Sequence, residues 1–125
     1  MASKLTSDGF RKVLERVRDE ILNHLGPGAT TWDINNGYCE EFADAVVSLV
    51  PEADAIYVAQ LDPEHDPNEP MECPHVIVLW RGKLYDAECF QGIRDWRKLP
   101  MVRNQGKSRA TVLQERKGDR RWSRC

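Results

Sequence analysis

The sequence predicts an α+β fold in which amphipathic helices cover a small sheet. Apolar residues recur at helical spacing over residues 7–25 and again over 37–50. Residues 55–61, 75–80 and 83–90 are instead short runs rich in strand formers, and Arg81-Gly82 sets a tight turn between the last two. At 125 residues, 41% hydrophobic and 30% charged, the chain suits one soluble domain with a single core. Its parts read as a packing helix over 1–28, a core over 29–100 and a basic segment over 101–125.

Each element follows from local chemistry. Ser7 or Asp8 can cap the first helix. Phe10, Val13, Leu14, Val17, Ile21 and Leu25 give it an apolar stripe, and Gly26-Pro27-Gly28 ends it. "ATTWDINN" (29–36) reads as a loop anchored by Trp32. The second helix, stopped by Pro51, has Asn35 or Asn36 available to accept from its first amides. Cys39, Ala43, Val46 and Val50 share its inner stripe, so Cys39 points inward near the helix start. "DPEHDPNEPMECP" (62–74) holds four prolines and five acidic residues and must be a long loop. "RATVLQER" (109–116) is expected as a fourth strand.

Charge and cysteines narrow the class. The net charge is −2, yet residues 101–125 alone carry eight Lys/Arg against Glu115 and Asp119. A solvated tail explains this most simply; an arm for an acidic partner or nucleic acid is the alternative. No apolar run approaches the roughly 20 residues that span a bilayer, so no membrane association is expected. "MASKLTSDGF" lacks the apolar core of a secretory signal. A cytoplasmic setting is expected, with Cys39, Cys73, Cys89 and Cys125 as thiols.

The hairpin gives a sharper expectation. A turn at Arg81-Gly82 pairs Trp80 with Lys83 and Leu79 with Leu84. His75, Ile77, Asp86 and Glu88 then share one sheet face, with Glu88 straight across from His75 and Asp86 diagonal to it. If the second helix crosses that face, Cys39 reaches the imidazole. A carboxylate can orient an imidazole, the imidazole can take a thiol proton, and the thiolate can attack an acyl carbon. A helix N-terminus further favours the thiolate. That chemistry calls for no cofactor. A zinc site built from Cys73, His75 and Cys89 is the competing reading, although the spacing matches no paired-cysteine pattern.

"GYCEEFA" (37–43) resembles the Gly-x-Cys-x-x-Phe-Ala nucleophile motif of transglutaminase-like, papain-like cysteine enzymes. "HVIVLWRGKLYDAE" (75–88) is similar to the family's His-led strand, short turn and Asp-bearing strand. The resemblance implies a nucleophile helix packed on an antiparallel sheet. It also implies Cys39 as nucleophile, His75 as general base and Asp86 as the orienting acid; the hairpin register, which sets Glu88 straight across from His75, makes Glu88 the other candidate for that role. The family includes peptidases, amidases and cross-linkers, so a protein or peptide substrate is expected. No motif assigns the oxyanion donors; the Cys39 amide, Asn35, Asn36 and Gln60 are the candidates. A non-catalytic binding protein, acting through the acidic 62–73 loop or the basic tail, is the rival expectation.

Overall fold

The computed structural model describes residues 5–66, 68 and 75–125. Helix α1 (Ser7–Leu25) is capped by Thr6, one residue before the expected caps, whose hydroxyl accepts from the Gly9 amide at 3.0 Å. It buries Phe10, Leu14, Val17 and Leu22, and Gly26, at a φ of 103°, turns the chain out of it.

The segment expected as a loop contains a short helix, α2 (Thr31–Asn35). Asp33 accepts from the Thr30 amide at 2.8 Å and from its hydroxyl at 3.1 Å, while Arg109 grips the same carboxylate from outside. Five residues are too few to show a helical period, but Thr30-x-x-Asp33 is a capping pair. Helix α3 (Cys39–Leu49) follows and buries Phe42, Ala43 and Val46. It starts two residues later than expected, so Cys39 is its first residue.

Four strands form one antiparallel sheet in the order β1-β2-β3-β4. Strand β1 (Asp54–Tyr57) passes into a 3₁₀ turn over Val58–Leu61, where the sequence suggested continued strand. Between β2 (Val76–Trp80) and β3 (Lys83–Asp86), Arg81 and Gly82 take φ values of 49° and 77°, the paired left-handed conformation of a two-residue hairpin turn. Trp80 faces Lys83 and Leu79 faces Leu84, as expected. The expected strand over 83–90 instead turns at Ala87-Glu88 into β4 (Cys89–Ile93), and Cys89 pairs back with Asp86. Glu88 therefore does not sit across from His75.

Apolar side chains cover both faces of the sheet. Val76, Val78, Trp80 and Tyr85 pack with α1 and α3, where Phe10 stacks on Trp80 at 4.1 Å between centroids. Ile77, Leu84 and Cys89 pack on the other face with Val58 and Leu99. Helix α3 thus covers the face opposite Ile77, contrary to expectation.

Helices α4 (Pro100–Arg103) and α5 (Arg109–Glu115) follow. The second replaces the expected fourth strand: Ser108 caps it, and only Val112 in it is buried. Residues 116–125 then return across the β3–β4 turn. The Arg120 carbonyl accepts from the Thr31 amide at 2.9 Å, the Ser123 hydroxyl donates to the Ala87 carbonyl at 2.7 Å, and Cys125 forms a disulfide with Cys89. The basic segment is therefore packed rather than a loose tail, and two of the four expected thiols are a disulfide. Cys73 lies outside the described residues, as does most of the second half of the acidic loop. Among the described residues, no helix is long and apolar enough to cross a membrane.

Candidate active site

The chain reaches the site from three directions. Helix α3 delivers Cys39 at its mouth. The residue just before β2 is His75, held by its carbonyl, which accepts from the Val58 amide at 2.9 Å. Asp86 ends β3, where the tight turn begins. Cys39 is half-buried, whereas His75 and Asp86 are buried.

His75 Nε2 lies 2.9 Å from Asp86 Oδ2. The ring also interacts with the Cys39 thiol, by hydrogen bonding and by charge. With Nε2 taken by the carboxylate, the ring atom left for sulfur is Nδ1, which is buried with no nitrogen or oxygen partner. Asp86, His75 and Cys39 therefore form a line, as the sequence suggested, but by a different route. The thiol meets the ring around the end of β2 and not across a sheet face. Its sulfur accepts from the Val76 amide at 3.5 Å.

Electrostatics follow from these contacts. Burial raises the Cys39 pKa, but hydrogen bonds from His75 and the Val76 amide, the His75 charge and the Glu40 amide outweigh it, and the thiol ends below its ordinary value. Burial acts on His75 in the opposite direction, favouring the neutral ring. Hydrogen bonds and charge from Asp86 and Cys39 prevail, and its pKa is pushed up to about 9. Both directions shift the pair toward thiolate and imidazolium, compared with the same two groups apart. No side chain caps α3, so the dipole at its N-terminus acts on the sulfur without a competing cap.

A second buried network sets the position of the acid. The Glu88 amide donates to Asp86 Oδ1 at 2.8 Å, and the Glu88 carboxylate accepts from Asn35 Nδ2 at 2.7 Å and from Arg116. Glu88 is 1% exposed and Arg116 6%. The Arg116 guanidinium stacks over Trp122, and burial lowers its pKa to about 10, leaving it charged at neutral pH. Glu88 is therefore a support of Asp86 and does not contact His75. Arg116 has no local signature in the sequence; only the need of a buried Glu88 for a cation calls for it, and no spacing reveals that need.

The remaining expected residues divide. Asn35 is buried against Glu88, and Asn36 donates to the Trp32 carbonyl at 2.8 Å; neither caps α3. Gln60 accepts from the Tyr57 amide at 2.9 Å and does not line the groove at the thiol. That groove, of about 340 Å³, opens beside Cys39 between Gly37, Tyr57 and Met101, with exposed Glu40 and Glu41 at its rim. The zinc alternative fails at Cys89, which is in the disulfide, and no metal-binding cluster occurs among the described residues. The chain finds no match among known protein families, curated proteins or solved structures.

Proposed function

We propose that the chain is a thiol-dependent acyl-transfer enzyme of the transglutaminase-like, papain-like kind, acting on a peptide or related amide. The observation that carries this reading is the line Asp86–His75–Cys39, ending in a half-buried sulfur that opens on a groove. A buried imidazole–carboxylate pair costs desolvation, and an inert thiol at its end would leave that cost without a purpose.

In this reading the Cys39 thiolate attacks the acyl carbon of an amide. The C–S bond forms as the carbonyl π pair moves to oxygen, and in this reading the Cys39 amide at the helix mouth donates to that oxyanion. The His75 imidazolium gives its Nδ1 proton to the leaving nitrogen as the C–N bond breaks. Neutral His75 then takes a proton from water, the resulting hydroxide displaces sulfur from the thioester, and the acid leaves. Asp86 keeps the ring oriented and stabilises its charged form throughout. Hydrolysis is favoured over cross-linking because nothing among the described residues marks a second site for an acceptor amine.

Against the cytoplasmic setting expected from the sequence stands the Cys89–Cys125 bridge, since such bridges persist where surroundings are oxidising. The test of the function is direct. Incubation with activated acyl esters and peptide amides, followed by rapid acid quench and intact-mass analysis, should trap an acyl group on Cys39. It should be absent in Cys39→Ala and should accumulate when His75→Gln slows deacylation of an ester. Acylation spread equally over Cys39 and Cys73 would instead support a binding protein without thiol chemistry.

A further inference from the structure

Most of the positive charge in residues 101–125 is engaged within the fold. Arg109 pairs with Asp33 at 2.8 Å, Arg116 with Glu88, and Arg121 with Asp19 at 3.5 Å, while Arg120 donates to the Gly26 and Ala29 carbonyls. Arg103 and Arg124 differ. Both are exposed, neither forms an ion pair among the described residues, and both line one cleft of about 460 Å³. Lys107, Asn104 and Gln91 line it too, and Trp122 forms part of its wall. Its one acidic side chain, Glu115, is already bridged by Lys107 at 3.2 Å. Helix α4 separates this cleft from the thiol groove: Met101 faces the groove and Arg103 the cleft.

We propose that this cleft binds a small, multiply charged oxoanion of the phosphate-ester class. Two guanidinium groups without carboxylate partners present planar pairs of N–H donors, which match the oxygens of a phosphoryl group. The Asn104 and Gln91 amides add neutral donors, and the volume lies in the range of small-molecule sites. A single carboxylate would neutralise only one of the two guanidinium groups, so a ligand with at least two negative charges fits better. A nucleic-acid strand fits worse, because Lys107, Arg109, Arg116, Arg120 and Arg121 are held by internal partners and Lys117 does not line the cleft, so the segment forms no continuous basic stripe. This inference stands apart from the thiol chemistry, and Cys39→Ala should bind the anion unchanged.

Calorimetric titration with inorganic pyrophosphate, at ionic strength held constant with sodium chloride, tests it. Saturable one-to-one binding is expected for the native chain and for Lys12→Ala, a lysine on α1 outside the cleft. Arg103→Ala with Arg124→Ala should weaken binding roughly tenfold or more, and Arg103→Gln with Arg124→Gln, which keeps the side chains long, should do the same. Absence of saturable binding, or equal binding by both double variants, would overturn the proposal. A second arm compares a mononucleotide with a single-stranded oligonucleotide. Equal affinity per chain supports a small ligand, and affinity that climbs with strand length overturns it in favour of a polymer.

Discussion

A cysteine thiol at its ordinary pKa is mostly protonated at neutral pH, so reactivity at position 39 depends on what His75 does. The ring holds its proton up to about pH 9, because Asp86 and the thiolate both favour the charged form over the neutral form that burial would select. Acyl transfer needs the thiolate and the ring proton together. Its rate should rise with pH through the lowered Cys39 pKa and fall as His75 loses its proton near pH 9, a bell seen in kcat/KM against pH. Asp86→Asn removes the carboxylate that raises the ring, so the alkaline limb should move to lower pH, with kcat/KM at least about a hundredfold down. A limb that stays in place would mean that Asp86 does not act on the ring. Arg116 meets a different demand. Arg116→Met leaves the Glu88 charge buried without its cation and should cost about 3–5 kcal/mol of unfolding free energy. In urea melts, Glu88→Gln combined with Arg116→Met should recover part of that loss.

At the scale of elements, the hairpin turn and the two long helices were legible because their signals are local. Arg81-Gly82 fixes its own register, and the stripes of α1 and α3 repeat often enough to be seen. The break after Asp86 was not legible. "KLYDAECF" reads as continuous strand, and only the pairing of Cys89 back to Asp86 shows that Ala87-Glu88 is a turn. Helix α5 was hidden by Thr111-Val112, a strand-like pair, although Ser108 gave its cap. Of the candidate site, Cys39 and His75 are legible from the helix stripe and the hairpin register, while the choice of Asp86 over Glu88 rests on the family resemblance. The roles of Asn35 and Glu88 depend on Arg116, which lies beyond any local window. The glycine in β4 carries an element-level prediction. Gly92 has a φ of 80°, and a Cβ there would lie 2.6 Å from the Tyr85 ring, one residue from Asp86. Gly92→Ala should therefore destabilise by about 2–4 kcal/mol, combining left-handed strain with overpacking, as read from the urea midpoint.

For the whole molecule, the segment from 116 onward matters because it ties the turn that carries Asp86 and Glu88 to the rest of the core. The Cys89–Cys125 bridge closes a loop of sequence separation 36. Chain entropy assigns such a loop about 4 kcal/mol. Cys125→Ser should lower stability in thermal or urea unfolding by up to that amount. Hydrogen bonds from Ser123 and the Arg116–Glu88 pair should still hold the turn, so Cys39 should keep its reactivity at temperatures well below unfolding. Residues 39, 75 and 86 come from separate stretches of chain, and folding alone makes them a unit. The pH dependence of iodoacetamide alkylation, resolved by peptide mass spectrometry for Cys39 and Cys73 separately, tests that unit most directly. Cys39 should react through a pKa clearly below that of an ordinary thiol, shifting upward in His75→Gln and in urea. Alkylation of Cys39 with an ordinary thiol profile, unchanged by His75→Gln, would contradict the account.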